Sequence, residues 1–214
     1  MLNYRKIIYY IRYVLLRMFF SNRKLNYKFS YNENRIEIIN HYIKKFNNAR
    51  YLEIGCADNL VFNSIISNSK VGVDPYMGGT FRGTSDEYFL HNKDSFDVIF
   101  VDGMHTFEQV FIDFTNAWNA SHVGAYILFH DMLPKNYIEQ YTPCSTPYAW
   151  TGDVWKLLFY FIEQNIDYYV YNNDHGVAVV KRTDIFINTN HEHLKTLDFN
   201  FYKNNFCKIN IKSY

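Results

Sequence analysis

The sequence of 214 residues has few cysteines and no marked excess of either charge. Cys56, Cys144 and Cys207 are odd in number and show no C-x-x-C spacing, so we expect free thiols in a reducing compartment, with neither a disulfide framework nor a zinc knuckle. The formal net charge of +1 argues against a protein whose whole surface binds nucleic acid. No run of about 18 uncharged apolar residues is present, so a membrane-spanning helix is not expected.

Glycine is missing where a dinucleotide-binding protein needs it. Gly55 follows a short apolar run and opens a turn, but Ala57 and other residues replace the further glycines of the G-x-G-x-x-G pattern. Glu53, just before the turn, would repel a pyrophosphate, so a nicotinamide dehydrogenase is excluded. Asp74 ends the next apolar run, where a carboxylate can accept hydrogen bonds from both hydroxyls of a ribose. These groups favour a ligand with an amino acid part and an adenosine part; the alternative is an ordinary turn with incidental acids.

Short apolar runs alternate with segments of helical periodicity, which predicts a doubly wound, Rossmann-like α/β sheet. The turn at residues 172–175 is hairpin-like, so the last two strands should be antiparallel. The length suits one complete domain with extra chain at both ends. We expect an N-terminal amphipathic helix and linker at 1–34, the α/β domain at 35–183 and a C-terminal extension at 184–214. Strands are expected at Tyr51–Gly55, Val71–Asp74, Phe96–Asp102, Ala125–Phe129, Tyr168–Tyr171 and Gly176–Lys181, with the main helices near 35–46, 60–67, 106–120 and 152–164.

Three predicted strands end in an aspartate: Asp74, Asp102 and Asp131. In an open α/β sheet the carboxyl ends of the strands meet where ligands bind, so these acids should converge. His105 lies three residues after Asp102, and His130 directly precedes Asp131. Carboxylates with histidines nearby can hold a hard divalent cation, and a neutral imidazole can act as a general base. Taken singly, His105 could instead only start a helix, and His130 could be a satisfied strand-end residue.

Together these motifs resemble the class I S-adenosylmethionine-dependent methyltransferases of the bacterial small-molecule and glycan O-methyltransferase type. The resemblance covers about residues 50 to 181 and rests on several motifs in the family's order. They are Tyr51–Gly55, Val71–Pro75, Thr84–Phe89, Phe96–Val110, His130–Asp131 and Gly152–Lys156.

The resemblance implies a seven-stranded sheet and S-adenosylmethionine as cofactor. The methionine part would lie beside Glu53 and Gly55, the ribose hydroxyls on Asp74, and the adenine near Ser85 and Asp86. The full set of implied cofactor-binding residues is Glu53, Gly55, Cys56, Ala57, Asp74, Ser85, Asp86 and Asp102.

The chain is also similar to divalent-metal-dependent O-methyltransferases, including catechol and macrolide-sugar enzymes. That similarity implies Mg²⁺ or another divalent cation on Asp102 and Asp131, with His105 as the base. The third ligand of those enzymes often follows the second directly, and here that residue is Met132. His130 is the substitute ligand that we expect.

The function implied is methyl transfer to a hydroxyl of a sugar or glycan precursor. The alternatives are another small molecule, such as a phenol or natural product, and a non-catalytic nucleotide-binding protein of the same fold. Trp150, Trp155 and Asp153 could form a sugar-stacking wall with a polar clamp, or the tryptophans could only pack the core. A nucleic acid substrate is not expected, because neither a basic surface nor an Asn-Pro-Pro-Tyr-like motif is present.

Residues 3–20 have the pattern of a basic amphipathic helix. At about 100° per residue, Arg5, Lys6, Arg12 and Arg17 fall on one arc, and the opposite face is apolar and aromatic. Such a helix could hold a cytoplasmic protein on the inner face of the cell membrane. The alternative is a helix that packs on the domain or forms a homodimer contact.

Overall fold

A computed structural model of the protein describes residues 2–30 and 34–214, with side chains of the first helix described from residue 7 onward. One mixed sheet forms the centre of the fold. Its strands are β1 Arg50–Ile54, β2 Ser69–Asp74, β3 Phe81–Arg82, β4 Phe96–Val101, β5 Ser121–Phe129, β6 Tyr168–Tyr171, β7 Val177–Lys181 and β8 Ile211–Lys212. The helices are α1 Leu2–Phe20, α2 Arg35–Ile43, α3 Leu60–Ser64, α4 Ser85–His91, α5 Phe107–Asn119, α6 Tyr137–Gln140, α7 Lys156–Glu163 and α8 Phe199–Asn205, with 3₁₀ turns at Glu192–Thr196 and Phe206–Lys208.

The strand order is β3-β2-β1-β4-β5-β7-β6-β8. The first five strands in this order are parallel, and β7 runs antiparallel to both β5 and β6. The doubly wound sheet and its antiparallel hairpin are therefore confirmed. The order reverses between β1 and β4, and a ligand crevice in such sheets lies at that reversal.

Two edge strands make the sheet eight-stranded, where seven strands were expected. Both β3 and β8 are only two residues long, and a run of that length has no recognisable periodicity in sequence. β3 lies inside the predicted loop at residues 75–84, and β8 belongs to the C-terminal extension and pairs with β6. The extension also contributes Phe199 and Tyr202 to the core, where both are almost fully buried.

The two faces of the sheet carry separate apolar clusters, because alternate side chains of a strand point to opposite faces. In β4, Ile99 and Val101 face one cluster, which also contains the apolar sides of α5 and α7. Val98 and Phe100 face the other, with α2 and α3. Helices on both faces leave the ends of the strands as the accessible region for a ligand.

Helix α1 lies against the segment that contains α6. Phe20 stacks on Tyr137 with ring centres 4.4 Å apart, Tyr13 contacts Tyr148, and Leu16 is buried. Among the described residues, no helix is long and apolar enough to cross a membrane. The expected cations Arg5 and Lys6 lie outside the described side chains.

Candidate active site

A cavity of about 530 Å³ opens at the carboxyl ends of β1, β2 and β4, at the reversal of strand order. Most of the predicted cofactor residues line it, together with His105. The lining comprises Ile54, Gly55, Ala57, Val73, Asp74, Pro75, Tyr76, Thr84, Ser85, Asp86, Asp102, Gly103, Met104, His105, Gln109 and Asp113.

Gly55 allows the backbone of the first turn to approach the neighbouring strand. Its φ is +87°, and a Cβ added there would lie 2.1 Å from the carbonyl oxygen of Asp102. Only glycine combines that φ with that approach. The resulting groove keeps the cavity open beside Ala57, which itself has a positive φ of 44°.

The carboxylate of Asp74 is fixed by four backbone N–H groups. Its Oδ2 accepts from Cys56 at 3.1 Å and Ala57 at 2.9 Å, and its Oδ1 accepts from Tyr76 and Met77, both at 2.8 Å. Burial tends to raise the pKa of Asp74, but these four donors outweigh it and lower the pKa. The four donors fix an ionised carboxylate in the lining of the cavity, where the ribose was expected.

The far end of the cavity is polar and includes two residues that the sequence reasoning missed. The Gln109 amide nitrogen lies within hydrogen-bond distance of three acceptors: Ser85 at 3.3 Å, Asp86 at 3.1 Å and Asp113 at 3.2 Å. Burial raises the pKa of Asp113 to about 6. The available signal was an aspartate on the otherwise apolar face of α5, next to Phe114. Gln109 and Asp113 therefore supply polar atoms beside Ser85 and Asp86, where the adenine was expected.

Two predicted cofactor residues, Glu53 and Cys56, are not among the residues that line this cavity. Glu53 is 1% exposed, accepts a hydrogen bond from Tyr51 and has its pKa raised to about 7 by burial. The Cys56 thiol lies 3.9 Å from the carbonyl oxygen of Val73, and burial raises its pKa. Only the backbone N–H of Cys56 takes part, through Asp74. The side-chain roles expected for both residues are therefore not supported, because both side chains turn into the protein.

His105 is the imidazole that faces the cavity. Its Nδ1 lies 3.0 Å from the carbonyl oxygen of Trp150 and 3.0 Å from Oδ2 of Asp131. Both neighbours accept hydrogen bonds, so Nδ1 carries a proton, and in the neutral ring Nε2 is the basic nitrogen. Nε2 is 3.6 Å from Asp102. Burial alone would lower the pKa of His105, but Asp102 and Asp131 reverse the effect and raise it.

His130 lies behind His105, buried among three carboxylates. Its Nδ1 is 3.1 Å from Asp102 and 3.4 Å from Asp131, and its Nε2 is 3.1 Å from Asp174. Both ring nitrogens therefore face carboxylates, and Nδ1 also lies 3.4 Å from Nη1 of Arg35. Burial opposes a charge on this ring, yet Asp102 and Asp131 raise the pKa of His130 well above its ordinary value. Both nitrogens of His130 are thus already in contact with charged groups of the protein.

Arg35 and Asp174 complete this cluster and were not predicted. Nε and Nη2 of Arg35 donate to the two oxygens of Asp174 at 2.9 and 2.8 Å, and Nη1 donates to Oδ2 of Asp102 at 3.0 Å. Asp131, Asp174 and His175 all have positive φ. Non-glycine residues in that region cost about 1 kcal/mol or more each, and clusters of them are typical of functional sites.

The predicted metal site is only partly supported. Asp102, His105 and Asp131 offer ligand atoms within 4.8 Å of one another. However, Oδ2 of Asp102 accepts from Arg35 and its Oδ1 accepts from His130, while His105 and Asp131 are paired together. Met132, at the expected third position, is completely buried with an apolar cluster. The residues present do not fit a divalent cation, and His130 does not replace the missing ligand.

The three residues that were expected to form a sugar-stacking wall have different surroundings in the structure. Trp150 stacks on His105 with ring centres 5.0 Å apart and planes 18° from parallel. Trp155 is fully buried and donates to Gln140, so it packs the core. Asp153 accepts from the backbone N–H of Phe107 at 2.8 Å and pairs with Lys156, which makes it part of the support for α5.

Comparison with known proteins agrees with this geometry. Residues 43–132, less than half of the chain, match the family model described as a methyltransferase domain. No curated protein matches the sequence significantly. The matched segment contains β1 to β5 and all the residues that line the cavity at their carboxyl ends.

Three solved structures have a similar fold at low sequence identity. A Corynebacterium glutamicum protein is 13% identical, with a TM-score of 0.53 over 74% of this chain and 85% of its own. An O-methyltransferase from Bacillus cereus, solved with SAH, is 11% identical, with a TM-score of 0.50 over 81% of this chain and 90% of its own. The cofactor-bound Rv0187 protein from MTB is 11% identical, with a TM-score of 0.52 over 72% and 81%. At these identities the likeness concerns the fold.

Proposed function

We propose that the protein transfers a methyl group from S-adenosylmethionine to a hydroxyl of a sugar or glycan precursor. Transfer to a hydroxyl is inferred from His105, whose ring lines the cavity and whose Nε2 is the basic nitrogen. S-adenosylmethionine supplies the electrophilic methyl group when bound. Gly55 and Asp74 would hold its methionine and ribose ends, and the Gln109 cluster would contact its adenine.

His105 would remove the proton of the acceptor hydroxyl as the new oxygen–carbon bond forms and the sulfur–carbon bond breaks. A hydroxyl has a pKa far above neutral, so its proton has to move during the step. Asp102 and Asp131 lie 3.6 and 3.0 Å from the ring nitrogens of His105. The proton that Nε2 accepts would therefore give the ring a positive charge beside two carboxylates, which favours the transfer.

A second cavity, of about 550 Å³, supports an acceptor that combines sugar and phosphate. It lies between α1, the segment after it and the loop that precedes Trp150. Arg17 and Lys24 supply positive charge, and Tyr13 and Tyr148 supply aromatic faces. Guanidinium and ammonium groups bind phosphate, and aromatic rings can pack on the apolar faces of sugars. Tyr148 and Ala149 line this cavity and directly precede Trp150, whose ring stacks on His105.

The acceptor is tested by incubating the protein with labelled S-adenosylmethionine and a matched set of acceptors: a nucleotide sugar, the corresponding neutral sugar and a catechol. We expect methylation of the phosphorylated sugar. Lys24→Ala combined with Arg17→Ala should raise the KM for that acceptor about tenfold, the loss expected for a charge-assisted contact. Lys203→Ala, an exposed lysine on α8, is the control. Methylation of the catechol alone would favour the phenol alternative.

We also propose that α1 attaches the protein to an anionic membrane surface. Ile8, Ile11, Leu15 and Met18 share one face of the helix, and each is between 46% and 70% exposed. The opposite face holds Leu16 and packs on the domain. Exposed arginines at positions 12 and 17 flank the apolar face. An apolar face bordered by cations is typical of helices that lie in the headgroup region.

Flotation with anionic liposomes tests this attachment. The intact chain should float at low salt and less at high salt, because each cation near the surface contributes about 1 kcal/mol that salt screens. Ile11→Asn combined with Leu15→Asn should abolish flotation, whereas Leu90→Asn, at another exposed leucine, should not. If the wild type stays in solution and instead forms a concentration-dependent dimer that the double variant disrupts, the face is a dimer contact.

A further inference from the structure

We propose that the guanidinium of Arg35 occupies the place of a divalent cation at Asp102, so that this site works without a metal ion. The inference rests on the proposed function only for the role of His105 as base. The strand-end aspartate, the histidine three residues later and the aspartate of the next strand would otherwise form a cation site. Arg35 enters from the start of α2 and changes what that site can bind.

Arg35 is held in place by more than one contact. Its guanidinium makes a bidentate pair with Asp174, whose side chain is completely buried, and its own backbone N–H donates to the same carboxylate at 3.0 Å. The remaining nitrogen, Nη1, donates to Asp102 at 3.0 Å. A planar fork between two carboxylates is a geometry that arginine satisfies and lysine does not.

Both oxygens of Asp102 therefore already have a hydrogen-bond partner in the protein. Nη1 of Arg35 donates to Oδ2, and Nδ1 of His130 lies 3.1 Å from Oδ1. A divalent cation on Asp102 would have to displace one of them or lie a few ångströms from the guanidinium, where like charges repel strongly. Beyond Asp102 the cluster offers two carboxylates, and both are already paired: Asp131 with His105 and Asp174 with Arg35.

Arg35 carries a permanent positive charge, and its guanidinium lies between two carboxylates of the cluster, those of Asp102 and Asp174. Arg35 is thus a positioning residue: it fixes Asp102 and supplies the charge that a metal supplies elsewhere.

Mn²⁺ binding, followed by electron paramagnetic resonance of the free ion, tests the inference on the full chain. We expect no saturable binding by the wild type or by Arg35→Lys, which keeps a positive charge. Arg35→Gln should bind Mn²⁺ roughly tenfold or more tightly than the wild type, and Asp131→Asn in that background should remove the gain. Binding of S-adenosylhomocysteine by each variant shows that the protein is folded.

Stoichiometric Mn²⁺ binding by the wild type, or loss of methyl transfer on EDTA treatment that the metal restores, would overturn the inference. No gain of binding in a folded Arg35→Gln variant would also overturn it, because Arg35 would then not be the group that excludes the cation. If no variant binds S-adenosylhomocysteine, the proposed function fails instead. Mn²⁺ binding is measured without the cofactor, so it tests the inference independently of the proposed function.

Discussion

Replacement of His105 by alanine is expected to lower the turnover of methyl transfer by roughly 10²-fold or more, the usual effect of losing a general base. The cofactor should still bind almost normally, because Asp74 and the Gln109 cluster lie elsewhere in the cavity. Steady-state kinetics and calorimetry with S-adenosylhomocysteine check the two parts separately. His193→Ala, which removes an exposed histidine paired with Glu163, is the control and should leave both quantities unchanged.

The pH dependence of methyl transfer by the wild type also tests His105 as the base. A raised pKa means that His105 holds its proton to higher pH than an ordinary histidine, whose pKa is about 6.5. Only the neutral ring can accept the hydroxyl proton, so activity should be low in acid and rise as pH passes above that value. Full activity in His105→Ala, or a rate that does not rise with pH through this range, would remove the base from the mechanism.

Replacement of Asp74 by alanine is expected to weaken binding of S-adenosylmethionine and S-adenosylhomocysteine by roughly 10²-fold. The variant loses an ionised acceptor for two ribose hydroxyls, and a hydrogen bond to a charged group contributes about 1.5–3 kcal/mol. It also leaves the N–H groups of Tyr76 and Met77 without their acceptor, which loosens the turn that borders the cavity. Calorimetry measures the affinity, and thermal unfolding shows whether the fold is retained.

Two further variants separate the ligand contact from the turn. Asp74→Asn keeps the size and one acceptor oxygen but removes the charge, so its affinity should lie between those of the wild type and the alanine variant. Asp94→Ala removes an exposed carboxylate that pairs with Arg50 and should have no effect. Undiminished affinity in Asp74→Ala, or a clear preference for NAD, would contradict the assignment of this cavity to S-adenosylmethionine.

The sequence by itself determined the elements that depend on local pattern. Apolar runs predicted the six main strands, and the scarcity of glycine around Gly55 excluded a dinucleotide. The helix after Thr84 begins with a capping box to Glu87, and this too is a local feature. Asp74, Asp102 and Asp131 could be placed together because parallel strands end at a common edge. Such inferences need only the spacing of residues along one strand or one turn.

Only the tertiary structure decided which groups neutralise those acids. Arg35 and Asp174 are 139 positions apart, and each looks ordinary in sequence: an arginine at a helix start and an aspartate in a hairpin turn. Their contact depends on how α2 packs against the strand ends, which no local pattern encodes. Glu53 and Cys56 turn inward for the same reason, since burial against the neighbouring strands decides their direction. The sequence thus established a strand-end acidic site, and long-range packing decided that Arg35 pairs with two of its acids.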